Sequence, residues 1–333
     1  MSTQPDNVRE ITFGQAINEA LAEEMRLDPT VFIIGEDVAE AGTPFKVLKG
    51  LVEEFGTERV IDSPISEAGI TGMSVGAAMT GMRPVVDIMF GDFIPLTMEQ
   101  MVNQAAKVHY MSGGKFNVPM VMRTTMGATR RSAAQHSQSL HALFSHIPGL
   151  KVAVPSTPYD AKGLLKTAIR DNNPVAIFED KMMYHLKGRV PEEDYTIPFG
   201  IADIKRQGGD ITIVATSSMV QVSLEAADML EELGVSAEVI DPRTTLPLDK
   251  ETLIESAKNT SRAIVVDEGY EGYGVTAEIA STIADGAFYY LDAPVRRMGA
   301  MDVPVPFSPA LEDLTVPTPQ SVADMAKLLC GKV

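Results

Sequence analysis

The sequence predicts an α/β protein of two domains, each a mostly parallel sheet covered by helices. Short continuous apolar runs alternate with segments of helical periodicity, the pattern of strands buried on both faces by crossover helices. A stretch rich in proline and charge, LKGRVPEEDYTIPFG at 186–200, interrupts that pattern, which then restarts. The length of 333 residues suits two domains of ordinary size.

Phe13, Ala16, Ile17, Ala20 and Leu21 recur at i, i+3, i+4 and predict an amphipathic helix over 12–26. TVFIIG (30–35) follows as a buried strand. RPVVDIMF (83–90), VPMVMRTT (118–125), KVAVP (151–155) and PVAIFED (174–180) read as further strands, with helices around 67–81, 96–112, 137–146 and 159–170. The first domain is thus placed at 1–186, a linker at 187–200 and the second domain at 201–333. In the second, DITIVAT (210–216), SAEVIDP (236–242), SRAIVVDEG (261–269) and VRRMGAM (295–301) are strands. Helices are expected near 219–233, 250–258, 275–285 and 319–329. No fixed-period repeat or heptad pattern is present.

Composition narrows the class. The single cysteine, Cys330, cannot form an internal disulfide, and no Cys/His cluster has metal-ligand spacing, which suits a reducing cytoplasm. The opening MSTQPDNVREITFG lacks the features of a secretory or transit leader, and no apolar run is long enough for a membrane span. The net charge of −17 disfavours nucleic acid and anionic membranes as partners. From position 191 onward there are 10 basic and 24 acidic residues, against 18 and 21 before it. That asymmetry is either a solvated acidic face or a docking surface for a basic partner.

There is no GxGxxG after the first strand, no phosphate-binding Walker loop, no HExxH and no GxSxG, so hydride transfer, metal-dependent hydrolysis and serine hydrolysis lack support. Three segments stand out instead. In RVIDSPISEAGITGMSVGAAMTG (59–81), Glu67 stands at the start of a helix of small residues. It is either a helix-start carboxylate favoured by the dipole or a buried carboxyl that shares a proton. In DIMFGDFIPLTMEQMVNQAAK (87–107), Phe93 follows a strand at its carboxyl end, where open α/β sheets bind ligands; a core aromatic is the other reading. In TMGATRRSAAQHSQSLHALFSHIPGLKV (125–152), His136 follows a loop of small residues, a setting for an exposed imidazole.

In this order, PISEAGITGMSVGAA, FGDFIP, MEQMVNQAAK, AAQHSQS, HIPGLKV, TPYDAKGLL, RDNNPVAIFE, DPRTTLPLD and VVDEGYEGYG resemble the beta subunits of thiamine-diphosphate-dependent 2-oxo acid and acetoin dehydrogenases. The resemblance spans about residues 9–330. It implies a pyrimidine-binding domain followed by a transketolase-like C-terminal domain. Glu67 would hydrogen-bond N1′ of the aminopyrimidine, since a buried carboxyl can keep its proton near neutral pH. Phe93 would pack on the pyrimidine ring, and Ile65 would line the same pocket. His136 would assist acyl transfer to a lipoyl group, an imidazole being able to donate or accept a proton near pH 7. Met120, Ala168, Ile169, Asp171 and Asn173 match a monovalent cation (K⁺) site built largely of backbone carbonyls.

Thiamine enzymes hold the diphosphate through Mg²⁺ and a GDG motif with a later Asn pair. This chain offers only GDF at 91–93 and GGDI at 208–211, and Asn172–Asn173 has no GDG at the right distance upstream. The resemblance therefore implies that an alpha subunit brings the diphosphate and Mg²⁺ ligands, in an α2β2 assembly. The acidic second half would dock on the lipoyl-bearing acyltransferase core. Arg130 and Arg131 depart from the small residues expected before His136. They either face a substrate carboxylate or the lipoyl domain, or are merely solvated, the reading favoured here. Two alternatives stand beside the leading one: the C-terminal half of a split transketolase, and a non-catalytic scaffold.

Overall fold

Each apolar run read as a strand contains one. The computed structural model describes residues 8–332; the part of the leader reading that falls on residues 1–7 lies outside them. The described residues form two compact units, 8–126 with 143–199, and 127–142 with 200–332.

The first unit contains β1 (Val8–Thr12), α1 (Phe13–Leu27), β2 (Val31–Gly35), α2 (Leu51–Phe55), β3 (Val60–Asp62), α3 (Glu67–Met79) and β4 (Arg83–Ile88). A 3₁₀ turn (Gly91–Thr97), a π-helical segment (Glu99–Ala105) and α4 (Ala106–Met111) lead to β5 (Val121–Met126). After α5 (His141–Ser145) come β6 (Lys151–Ala153), α6 (Pro158–Arg170), β7 (Val175–Asp180) and β8 (Lys187–Pro191). The strands β6-β7-β5-β4-β2-β3 are neighbours in that order and all parallel. Every residue of β2, β5 and β7 is buried, as continuous apolar runs require.

The start of the expected linker is a strand. β8 pairs antiparallel with β1, Val8 opposite Pro191 and Thr12 opposite Lys187. Both strands are half-polar and short, so neither shows the continuous apolar run that marks the central strands. The helix expected over 137–146 is confined to 141–145, and that over 96–112 is partly π-helical.

Helix α1 begins with a capping box: Thr12 Oγ1 accepts from the Gln15 backbone at 3.2 Å and Gln15 Oε1 from the Thr12 N–H at 2.8 Å. Its apolar stripe packs on α6, with Phe13, Ile17, Leu21, Leu164 and Leu165 in one core. Charges bind the rims of the same helices. The fully buried Lys162 meets Glu23 at 2.7 Å, and Arg170 meets Glu24 at 2.7 Å and Asp194 at 2.9 Å. Lys166 pairs with Glu23 and Asp194. Arg170 and then Lys166 hold the Asp194 carboxyl down to about 2, against the opposing effect of burial.

In the second unit follow β9 (Asp203–Arg206), β10 (Ile211–Ala215), α7 (Met219–Glu231), β11 (Ala237–Asp241), β12 (Thr244–Leu246) and α8 (Lys250–Thr260). β13 (Ala263–Tyr270), α9 (Val275–Gly286), β14 (Arg296–Ala300), α10 (Pro309–Glu312) and α11 (Pro319–Leu329) complete it. The sheet runs β14-β13-β10-β11-β9, with β9 antiparallel to its neighbour and the others parallel. One face packs on α7 and α11, the other on α8 and α9.

The Asp194 pair gives a test with a defined sign. A carboxyl lowered from 3.8 to about 2 contributes stability that is present above 3.8 and is lost as pH falls through about 2. Because the side chain is 61% exposed, Asp194→Asn should cost about 1 kcal/mol or less at neutral pH. Paired urea titrations of native and variant protein at about pH 7 and about pH 3 should show that gap narrowing; an undiminished gap would reject the assignment.

Candidate active site

The central strands of the first unit carry a buried charge cluster. Arg123, at the middle of β5, is 3% exposed and lies between Asp87 of β4 and Glu179 of β7. Its Nε meets Glu179 Oε1 at 2.9 Å, and the Tyr184 hydroxyl donates to Glu179 Oε2 at 2.8 Å. Burial pushes the Asp87 carboxyl up, with Arg123 opposing. Two carboxylates thus share one guanidinium, leaving a surplus of negative charge in the interior if both are ionised.

That surplus is felt at Glu36, directly after β2. Burial first, then the charges of Glu67, Asp37 and Asp87, push the Glu36 carboxyl up, opposed by a hydrogen bond from the Ser66 backbone. Glu36 is the acidic neighbour that sequence reasoning missed. Its signal was its place at a strand's carboxyl end.

Glu67 is the first residue of α3 and is only 7% exposed. It is a helix-start carboxylate, but a buried one rather than a solvated cap. Ser66 precedes it as N-cap, and its carbonyl accepts from the Ile70 N–H at 2.8 Å. A Cβ at Gly69 would come within 2.6 Å of Ser66 Oγ, so a larger residue there would require the Ser66 hydroxyl to turn away. α3 packs on β4, on the 91–97 turn and on the π-helical segment.

Phe93 lies in that 91–97 turn, half-buried, with its N–H bonded to the Phe90 carbonyl at 2.9 Å. It meets Phe90 edge-on at 5.9 Å, and Phe90 meets Phe45 at 5.8 Å. Phe93 therefore belongs to an aromatic row and is only half-buried. Ile65 is 81% exposed, a large apolar side chain left uncovered beside Glu67 in the sequence. A buried carboxyl, a half-buried aromatic and an uncovered aliphatic group at one sheet edge suit a flat, partly apolar ring with a polar nitrogen.

Of the residues expected at a cation site, Ala168 and Ile169 lie in the last turn of α6, Asp171 and Asn173 just beyond it, and Met120 just before β5. The Asp171 N–H bonds the carbonyls of Thr167 and Ala168, and both the backbone and side chain of Asn173 donate to Asp171 Oδ1 at 2.9 and 2.8 Å. The Met120 carbonyl accepts from the Val175 N–H at 3.0 Å. Arg83 already uses part of this set, donating to the Ile169 and Asp171 carbonyls at 2.8 and 2.9 Å and to Asn172 Oδ1 at 2.8 Å. Asp171 is also paired with Lys151.

His136 belongs to the second unit, with the rest of 127–142. Its imidazole is half-buried, less open than the small-residue setting suggests. Arg131 is not merely solvated: its guanidinium meets Glu312 at 2.7 Å and Asp313 at 2.6 Å. His141, read without a role, is buried, with Nε2 3.2 Å from Asp267 Oδ1. Burial pushes the Asp267 carboxyl up, but His141, the Thr216 hydroxyl and the Gly269 N–H hold it below the usual range. Among the described residues no group of three or more His, Cys, Asp or Glu could hold a metal ion, and no helix is long and apolar enough to cross a membrane.

Comparison with known proteins fits this geometry. Residues 9–187 match the transketolase pyrimidine binding domain and residues 200–322 the transketolase C-terminal domain. The chain is 51% identical to the beta subunit of acetoin:2,6-dichlorophenolindophenol oxidoreductase of Bacillus subtilis, over 97% of this chain and 98% of that protein. It is 47% identical to the pyruvate dehydrogenase E1 component subunit beta of Rickettsia felis, over 96% and 98%. It is 45% identical to the 2-oxoisovalerate dehydrogenase subunit beta of Bacillus subtilis, over 94% and 96%. A solved split-gene transketolase, described as an inactive beta4 tetramer, superposes with a TM-score of 0.78 over 96% of this chain and 98% of that one. At 24% identity this shows the shared fold alone.

Proposed function

The chain belongs to the beta-subunit family of pyruvate, acetoin and 2-oxoisovalerate dehydrogenases, and from that premise we propose that it is the beta subunit of a cytoplasmic, thiamine-diphosphate-dependent 2-oxo acid or acetoin dehydrogenase. The observation that carries the reading is the burial of Glu67 at the first turn of α3, beside the strand ends. Thiamine diphosphate supplies the carbon nucleophile and the electron sink. Glu67 would hold or share a proton at the pyrimidine N1′, as a buried carboxyl can. Phe93 would cover one ring face, and Ile65 would add apolar contact.

His136 would act at the transfer step. Transfer to a lipoyl disulfide would break the S–S bond and the carbon's bond to the cofactor. The electron pair carried by the decarboxylated carbon would reduce the disulfide, one sulfur taking the carbon as its hydroxyl proton leaves, and the other sulfur taking a proton. An imidazole near pH 7 can supply that proton. The diphosphate and Mg²⁺ ligands would come from an alpha subunit, because GDF at 91–93 and GGDI at 208–211 do not continue as the required motif. The acidic second unit would dock the acyltransferase core. A monovalent cation would bind the second lone pairs of the carbonyls at the end of α6 and just beyond it, beside the charges of Arg83 and Lys151.

Co-expression with a GDG-containing alpha chain should give thiamine-diphosphate and Mg²⁺ binding by calorimetry, with CO₂ release on one member of a panel of 2-oxo acids or cleavage of acetoin. In that complex Glu67→Gln should leave assembly intact and abolish proton exchange at C2 of the bound cofactor. Tight cofactor binding by this chain alone, or normal exchange in the variant, would reject the two-chain site or the role of Glu67. His136→Ala should impair acylation of a lipoyl domain more than decarboxylation read with a dye acceptor; equal losses would reject its transfer role. The cation proposal predicts greater thermal stability in K⁺ than in Li⁺ at equal ionic strength, about 2.7 kcal/mol at a hundredfold excess over Kd. Identical melting curves would remove the ion.

A further inference from the structure

The loop that bears His136 has a backbone that needs outside support. Thr129, Arg131 and Ala133 all take positive φ, at 65°, 62° and 59°. None is glycine, and left-handed backbone at alternate positions persists only where surroundings over-determine it. The second unit provides three holds. At the start of the loop, the Ala128 N–H donates to Glu268 Oε1 at 2.7 Å. At its end, His141 meets Asp267, and Gly269 lies so close that an added Cβ would stand 3.2 Å from the Ser139 carbonyl. Both holds come from the carboxyl end of β13.

The middle hold comes from α10. Glu312 is fully buried, and its carboxylate accepts from the Arg131 backbone N–H at 3.1 Å and from the Arg131 guanidinium at 2.7 Å. One carboxylate thus grips both the main chain and the side chain of a residue in left-handed conformation. A solvated arginine needs no such receptor, and Asp313 adds a second carboxylate on the same Nη1. Arg131 stands five residues before His136, inside the strained stretch, where a shift of the main chain is passed to the imidazole.

We propose that Arg131, held by Glu312, is a positioning residue that sets the His136 loop for acyl transfer. The inference rests on the transfer role given to His136 above. Small misplacement of a reacting group is costly to rate even when the group itself is intact. The guanidinium also neutralises a buried carboxylate, so its loss disturbs stability as well. The two effects separate in the double variant Arg131→Ala/Glu312→Gln, which leaves no unpaired buried charge.

The test uses the holoenzyme reconstituted with its alpha chain, with His136→Ala run in parallel. Arg131→Ala should lower kcat for lipoyl-domain acylation about tenfold or more, with a much smaller change in dye-linked decarboxylation. Amide hydrogen exchange over 128–140 should rise. Arg131→Lys should recover part of both. In the double variant the melting temperature should recover while the acylation defect and the fast exchange persist. Acylation that recovers with melting temperature would make Arg131 purely structural and overturn the proposal, as would unchanged exchange in Arg131→Ala. Selective acylation loss in His136→Ala without it in Arg131→Ala would sink this inference alone. Equal losses in the two assays for His136→Ala would remove the parent reading and this inference with it.

Discussion

One guanidinium organises the first unit. Arg123 sits on β5 with Asp87 on one side and Glu179 on the other, so a single cation ties the neighbouring strands together where the sheet interior is driest. Without it, two carboxylates would be buried without compensation, a cost of several kcal/mol. With it, the cluster still carries more negative than positive groups. The consequence reaches outward through Asp87 to Glu36, whose carboxyl is also pushed up by the charge of Glu67. The acidity of the candidate site is therefore a property of the sheet beneath it as much as of the side chains that face a ligand.

The second unit solves a related problem differently. Its buried acids Asp267, Glu268 and Glu312 find partners in the 127–142 segment. A strand end and a one-turn helix thereby become supports for a loop with no regular structure of its own. Such an arrangement exchanges local flexibility for position, which the transfer role proposed for His136 would require.

Much of this was legible in the chain itself. The central strands announced themselves as continuous apolar runs because both faces are covered, and the larger helices by their stripes. β1 and β8 did not, because each is short and half-polar and its pairing joins residues near 10 to residues near 190. Glu67, Phe93 and His136 stood out as candidates by residue type and motif. Their burial was not, since it depends on elements far away in sequence. Arg131 shows the limit most sharply: its partner lies 181 residues further on, and nothing local distinguishes a gripped arginine from a solvated one. His141 is alike, its aspartate being 126 positions away at 267. Long-range ion pairs leave no periodic trace.

The membership of 127–142 in the second unit also bears on how such chains can be taken apart. The polypeptide crosses from one unit to the other three times, after 126, after 142 and after 199. A chimera spliced once, in the 187–200 stretch, would carry one parent's His136 loop against another parent's Asp267, Glu268 and Glu312. Exchange between relatives would need a second crossover pair around the loop. A gene cut once at that stretch would part the His136 loop from the carboxylates that hold the loop.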